Sequence, residues 1–251
     1  MQGIDTTVQD GVATVTIDRA PVNALTTDGW EELAATINEL SADMSVRAVV
    51  LTGANGHFSA GADVEELANP PSEQDAAMLR TVGKTAAAIR ECRVPVIASA
   101  EGASRGGGFE LLLACDVVVA SPKASFASSA VNMGVIATVP ALSATVGPKR
   151  ASMMLLTGEP IDAAKASEWG VVSTVADDPL GEAQKIANRI ASRGPLAVEA
   201  NKVALQAFGH VGPEEHTALV TLLYSRLERS ADHTEAVEAF LQKRSASFDR
   251  Q

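Results

Sequence analysis

The chain has 251 residues, of which 46% are hydrophobic, and its formal net charge at pH 7 is −11. A chain of this length can bury a sizeable core, and its apolar content is that of a globular rather than a disordered protein. The acidic balance, without any cluster of Lys and Arg, argues against a nucleic-acid binder. No run of 18 apolar residues is present, so no membrane-spanning helix is predicted.

The chain carries two cysteines, Cys92 and Cys115, and four scattered histidines. None of them stands in a C-x-x-C or metal-ligand spacing, which argues against a metal site. No basic and apolar leader precedes the first predicted strand. We therefore expect a cytoplasmic protein from a reduced compartment that binds no metal.

Short apolar strands alternate with helical segments along most of the chain. The predicted strands are residues 11–18, 46–53, 94–100, 116–121 and 171–175. The first predicted helix starts at Thr26 to Asp28, with Asp28 and Glu31 able to form a capping pair, and runs to Leu40. The other predicted helices are residues 64–67, 72–90, 109–114, 149–156, 162–169, 181–192, 196–208, 213–229 and 232–243. The alternation predicts an α/β fold with largely parallel strands, and the final run of helices predicts a partly separate region for oligomer contacts.

A glycine-rich stretch, Glu101-Gly-Ala-Ser-Arg-Gly-Gly-Gly-Phe-Glu110, connects a predicted strand to an apolar helix. Consecutive glycines allow close approach of a ligand or of another backbone. The start of the helix offers free N–H groups and a positive dipole end, which suit an anion or a developing oxyanion. Glu110 lies in the first turn, either as a catalytic acid/base or as a structural carboxylate paired with a cation such as Arg105.

A second small-residue turn, Phe58-Ser-Ala-Gly-Ala-Asp63, also follows a strand and opens a helix that Asp63 could cap. Nucleotide-binding motifs do not fit the triple glycine, because Leu111 stands where G-x-G-x-x-G needs glycine and no Walker lysine follows. A G-x-S-x-G elbow is also absent. If both turns aim an N–H at one point, they form a two-donor oxyanion hole beside Glu110, as acyl-thioester chemistry requires.

These two stretches resemble the paired signatures of the enoyl-CoA hydratase/isomerase superfamily, also called the crotonase family. Weaker similarities run along nearly the whole chain, at residues 21–25, 156–163, 195–197 and 230–248. The resemblance implies a spiral of β-β-α turns in residues 1–193 and a helical C-terminal oligomerisation region in residues 194–251. It further implies acyl-CoA or enoyl-CoA substrates, no metal or redox cofactor, and assembly as homotrimers or homohexamers.

The resemblance also assigns roles by position. The backbone N–H groups of Ala62 and Gly107 would hold the thioester oxygen, and Glu110 would be the first of two catalytic glutamates. Four residues would line the CoA and a fifth would reach it from a neighbouring subunit: Ala24, Leu25, Ala60 and Asp63, with Phe248 from the neighbour. These roles imply an enzyme that stabilises a thioester enolate, and above all an enoyl-CoA hydratase.

The chain departs from the family pattern beside the expected site. Ala130 stands where the second glutamate is expected, and Glu101 and Arg105 replace a customary Asn and an apolar residue. We expect Arg105 to pair with Glu101 or Glu110, the alternative being a carboxylate on the acyl group. With one glutamate, double-bond isomerisation, decarboxylation and C–C hydrolysis stay open, as does a non-catalytic acyl-CoA-binding subunit.

Overall fold

Eleven strands, eleven α-helices and one 3-10 helix occur within residues 3–68, 77–136 and 139–250, the part of the chain that this computed structural model describes. The strands are β1 (Ile4–Gln9), β2 (Val12–Ile17), β3 (Ala24–Leu25), β4 (Ala48–Gly53), β5 (Gly61–Ala62), β6 (Val96–Ala100), β7 (Ala103–Arg105), β8 (Val117–Ala120), β9 (Ser125–Ala127), β10 (Ile161–Asp162) and β11 (Thr174–Val175). The helices are α1 (Thr27–Ala42), α2 (Val64–Ala68), α3 (Ala77–Glu91), α4 (Gly107–Ala114), the 3-10 helix Ser129–Met133, α5 (Val139–Val146), α6 (Pro148–Thr157), α7 (Ala163–Glu168), α8 (Pro179–Ala191), α9 (Pro195–Ala207), α10 (Pro213–Leu227) and α11 (Ala231–Gln242).

A six-stranded sheet in the order β1-β2-β4-β6-β8-β11 forms the centre of the fold. All neighbouring pairs are parallel except the antiparallel β1–β2 hairpin. The central strands are near-continuous apolar runs because helices cover both faces, as the sequence pattern predicts. Since the strands are parallel, the chain leaves β4, β6 and β8 at the same edge of the sheet.

Short strands form two further sheets beyond this edge, with the orders β10-β9-β7 and β3-β5. After each of the three central strands β4, β6 and β8, the chain enters one short strand, namely β5, β7 or β9, and then a helix. The predicted spiral of β-β-α turns is therefore confirmed. Ser59 of the first small-residue turn forms an isolated parallel bridge with Ser104 of β7, the strand that leads into the second turn, so the two turns lie side by side.

Helix α1 packs its apolar stripe into the core, as its spacing predicts: Trp30, Leu33 and Ile37 are fully buried. The predicted capping pair is wrong, however. The N-cap is Thr26, whose hydroxyl accepts a hydrogen bond from the N–H of Gly29 at 3.2 Å. Asp28 lies inside the first turn, where its charge still favours the positive end of the helix dipole.

The C-terminal helices attach to the sheet through α9. Its Lys202 is buried and forms an ion pair of 2.8 Å with Asp116, and its Glu199 pairs with Arg93 at 2.6 Å. By contrast, α10 and α11 expose large apolar side chains such as Phe240, which is 82% exposed. The boundary at residue 194 stays a prediction. In the described residues, no helix has the length and hydropathy needed to cross a membrane.

Candidate active site

Asn23 organises the loop that leads into β3. Its side chain is fully buried and its φ is 56°, a left-handed conformation that Asn tolerates better than most residues. The Nδ2 group donates to the carbonyls of Ala54 at 2.7 Å and His57 at 2.8 Å, while Oδ1 accepts from the N–H of Arg19 at 3.1 Å. Asn23 thus fixes the loop before β3 to the turn after β4.

The first small-residue turn pairs with β3 through β5. Leu25 lies opposite Ala62 in the parallel register, and the N–H of Asp63 donates to the carbonyl of Leu25 at 2.9 Å. Successive N–H groups of an extended strand point to opposite sides, so the N–H of Ala62 points away from β3. Ser59 stabilises the turn from within, since its hydroxyl accepts from the N–H of Gly61 at 3.1 Å.

The second turn begins helix α4. Gly106 is its N-cap, with φ 48° and ψ −120°, a conformation that glycine adopts far more readily than other residues. Gly107 is the first helical residue, so its N–H has no acceptor inside the helix and lies at the positive end of the dipole. The carbonyl of Gly106 accepts from the N–H of Glu110 at 3.1 Å and closes the first helical turn.

The two turns touch each other through their backbones. The N–H of Arg105 donates to the carbonyl of Ser59 at 2.9 Å. A β-carbon on Gly61 would stand 2.9 Å from the nitrogen of Gly107, and one on Gly108 would stand 2.3 Å from the carbonyl oxygen of Ser59. Only hydrogen fits at these positions, which explains two of the glycines. The two expected thioester-oxygen donors therefore lie on adjoining turns.

Glu110 lies in the first turn of α4 and is 8% exposed. Its neighbours Phe109 and Leu111 are buried in the core. Helical side chains tilt toward the N-terminus, so a residue at this position can reach toward the turn of Gly106 and Gly107. The structure thus gathers a largely buried glutamate and the two small-residue turns at one end of α4.

The four residues expected to line CoA within the chain lie beside the first turn. Ala24 and Leu25 form β3 and pair with Gly61 and Ala62 of β5, and Ala60 precedes them directly. The side chain of Leu25 is fully buried, so any ligand contact there would be made by its backbone. The fourth residue, Asp63, follows β5.

Asp63 is held by Arg19, a residue that the sequence did not single out. Its Oδ1 accepts from the N–H groups of Glu65 at 2.9 Å and Glu66 at 3.3 Å, which confirms the predicted cap of α2. Its Oδ2 pairs with the guanidinium of Arg19 at 2.7 Å, and this hydrogen bond lowers the pKa of Asp63. Arg19 also donates to the carbonyl of Ala24 at 2.8 Å and so joins two of the expected CoA residues.

The expected ion pair of Arg105 is wrong. Its guanidinium donates to the carbonyl of Ser104 at 3.1 Å and to the carbonyl and hydroxyl of Ser125 at 2.6 and 2.8 Å. Ser125 starts β9, which runs parallel to β7, so the Arg105 side chain points back along the sheet and away from α4. Partial burial lowers its pKa. Glu101 is exposed in the preceding turn.

Ala130 lies in the 3-10 helix Ser129–Met133 that follows β9. Since β9 pairs with β7, the 3-10 helix begins next to the turn that opens α4. No Asp or Glu occurs in the sequence between Asp116 and Glu159, so this part of the chain cannot supply a second carboxylate.

Comparison with known proteins settles the family. The family model for enoyl-CoA hydratase/isomerase matches residues 7–251. This chain belongs to that family, within the crotonase superfamily.

Relatives with full-length similarity carry hydratase names. The 2,3-dehydroadipyl-CoA hydratase of Escherichia coli is 34% identical over 246 residues, covering 96% of each chain. A probable enoyl-CoA hydratase of Bacillus subtilis is 30% identical over 255 residues, covering 99% of each. The crystal structure of an enoyl-CoA hydratase from Bacillus anthracis superposes with a TM-score of 0.95 at 29% identity over the whole of both chains.

Phe248 is not brought to this crotonase site within its own chain. A β-carbon on Gly194 would stand 3.5 Å from the Phe248 ring. The adjacent carbonyl of Arg193 accepts from the guanidinium of Arg47 at 2.7 Å, just before the amino end of β4. Ala62 instead follows the carboxyl end of β4, so Phe248 and Ala62 lie at opposite edges of the sheet. Its contact with a neighbouring subunit stays a prediction.

The described residues contain no group of three or more His, Cys, Asp or Glu side chains able to hold a metal ion. Cys92 and Cys115 are both free, and burial raises the pKa of the Cys115 thiol above its ordinary value. A buried thiol of raised pKa is a poor nucleophile.

Proposed function

We propose that this protein is an enoyl-CoA hydratase, which adds water across the double bond conjugated to a CoA thioester. The observation that carries the proposal is the backbone contact between the two small-residue turns, with Glu110 in the first turn of the helix that the second one opens. In this mechanism the thioester oxygen accepts from the N–H groups of Ala62 and Gly107. Negative charge grows on that oxygen as the enolate forms, and one such donor contributes about 3 kcal/mol to lowering the barrier.

Glu110 is the proposed acid/base. Its carboxylate takes a proton from the attacking water and then delivers a proton to the α-carbon of the enolate. The position supports this role, because a side chain in the first turn of α4 reaches back over the same turn whose N–H would hold the oxygen. A single carboxylate can serve both steps because it ends the reaction in its starting state.

The CoA contacts are part of the same proposal. The backbone of β3 and the first turn would line the ligand through Ala24, Leu25, Ala60 and Asp63, with Arg19 as a nearby cation. Coenzyme A belongs to the substrate, and the proposed reaction uses no other cofactor. We propose a homotrimer or homohexamer in which Phe248 contacts a neighbouring subunit, and a cytoplasmic location.

The test is loss of the enoyl-thioester absorbance when purified protein is mixed with crotonyl-CoA and with a longer enoyl-CoA. We expect mass spectrometry to show the gain of one water. Glu110→Gln keeps the size of the side chain and removes its basicity, so we expect a loss of about 10²–10⁴ in kcat. Unchanged turnover in this variant would contradict the proposed mechanism.

Ala130 favours a second candidate, a one-carboxylate reaction through the same enolate. Double-bond isomerisation, decarboxylation and C–C hydrolysis each need the two N–H donors but no water held by two glutamates. Product masses separate them, since isomerisation changes no mass, decarboxylation loses CO₂ and hydrolysis yields two fragments. Binding of acyl-CoA without turnover of any of these substrates would instead indicate the non-catalytic subunit.

A further inference from the structure

A serine hydroxyl lies next to the amino end of α4. The Oγ of Ser129 is 3.7 Å from the position that a β-carbon on Gly106 would take, and among the described residues outside the glycine's own chain neighbourhood it is the one heavy atom within 4 Å of that position. Gly106 caps the helix, and its carbonyl accepts from the N–H of Glu110. Ser129 therefore stands beside the turn that opens α4, the helix whose first turn contains Glu110.

This hydroxyl is available to a ligand. Ser129 is half-buried, and its Oγ forms no hydrogen bond to any residue that the structure describes. It differs from the hydroxyls of Ser104 and Ser121, which also lack partners but are sealed from solvent. A hydroxyl provides one donor and two acceptor positions, which matches the requirements of a bound water molecule.

The site lacks a second carboxylate in the part of the chain where Ser129 lies, so a hydroxyl there could orient the water. The residue after Ser129 is Ala130, and the sequence offers no carboxylate from residue 117 to residue 158. A water molecule that attacks a carbon atom must be oriented as well as deprotonated, and a single carboxylate fixes only one of its hydrogen bonds.

We propose that the Ser129 hydroxyl holds the attacking water, while Glu110 alone moves protons. This inference rests on the proposed hydratase function. The water oxygen bonds to the β-carbon, one water proton passes to the Glu110 carboxylate, and the π electrons move to the thioester oxygen as the enolate forms. The enolate then takes that proton from Glu110 at the α-carbon, so one molecule of water is added in all. Ser129 keeps its own proton throughout.

The test compares two reactions of the same enolate site. Hydration of crotonyl-CoA needs a positioned water, whereas exchange of the α-protons of butyryl-CoA in D₂O needs only Glu110 and the oxyanion donors. We expect Ser129→Ala to lower kcat for hydration about tenfold, the size of one hydrogen bond, and to leave the exchange rate and the melting temperature unchanged. Ser129→Thr, which keeps the hydroxyl, should recover most of the hydration rate.

Ser143 provides the matched control, since it is a half-buried serine on α5 with no proposed role. Ser143→Ala should leave both rates unchanged. An unchanged hydration rate in Ser129→Ala would overturn the proposal, and an equal fall in both rates would show that Ser129 acts only on the structure. If the wild-type protein catalyses neither reaction, the hydratase proposal fails and this inference fails with it. We expect Glu110→Gln to lose both reactions while Ser129→Ala loses only hydration. That result shows that both reactions use the enolate chemistry of this site.

Discussion

Two polar regions lie at opposite edges of the six-stranded sheet and differ in how their donors are satisfied. At the amino edge, the Lys202 ammonium donates to the carbonyls of Ile89 and Val94 at 3.4 and 3.0 Å and to Asp116 at 2.8 Å. All three of its N–H donors therefore have acceptors. At the carboxyl edge, the first N–H groups of α4 have no acceptor inside the helix. Donors with acceptors inside the protein fasten α9 to the sheet, whereas donors at a helix start are free of intrahelical bonds, as the proposed oxyanion site requires.

The largest expected effect comes from blocking the close contact between the two turns. Gly108→Ala would place a β-carbon 2.3 Å from the carbonyl oxygen of Ser59, a backbone atom that cannot move without separating the turns. We expect the free energy of unfolding to fall by about 4 kcal/mol and hydration activity to be lost. Chemical denaturation of the variant and of the wild type measures the difference.

Gly83 is the control for this substitution. It lies within α3, and a β-carbon there would meet no heavy atom of the described residues within 4 Å apart from the backbone of its own helix. Gly83→Ala should raise the free energy of unfolding by roughly 0.5–1 kcal/mol, because alanine favours the helix. A similar loss of stability in both variants would show that the contact between the turns is not the cause.

The next effect should separate stability from catalysis. Lys202→Met keeps the length of the side chain but leaves Asp116 without its cation, so we expect the free energy of unfolding to fall by about 3 kcal/mol. The kcat of the folded fraction should stay within twofold of wild type, because the pair lies at the edge opposite the turns. A large fall in kcat at full folding would show that the two edges are coupled.

The smallest effect concerns the segment before Phe248. Glu235 accepts from the guanidinium of Arg244 at 2.6 and 2.7 Å and from the N–H of Ser247 at 2.8 Å. The hydrogen bond from Arg244 is the main cause that lowers the pKa of Glu235 to about 2. A carboxylate whose pKa is lowered by folding stabilises the folded protein at every pH above its pKa in the unfolded chain, which is near 4.5. This stabilisation disappears as the pH falls toward 2.

Glu235→Gln should therefore be less stable than wild type at pH 7, and the difference should shrink between about pH 4.5 and pH 2. Thermal melts of both proteins across this range provide the measurement. Hydrogen exchange at the amide of Ser247 gives a local readout. A difference that is independent of pH would contradict the role of the Glu235 charge.

The sequence predicts the central strands and the residues of both turns, because apolar runs and consecutive glycines are local signals. It misses β1, whose residues Ile4–Gln9 are largely polar and exposed and take a strand conformation only by pairing with β2. It also misses the roles of Asn23 and Arg19, whose partners are up to 44 positions away. Arg105 is mispredicted for the same reason, since Ser125 becomes its neighbour only when β7 pairs with β9.

The most direct test of the two-donor oxyanion site is the carbonyl vibration of a bound thioester. Difference Raman spectroscopy of crotonyl-CoA carrying a ¹³C carbonyl, bound to Glu110→Gln so that it is not consumed, reports the hydrogen bonds to that oxygen. We predict that the carbonyl band moves to lower frequency on binding, because two N–H groups polarise the bond. A band that stays at the frequency of the free thioester, in a sample with the ligand fully bound, would show that Ala62 and Gly107 do not hold the oxygen.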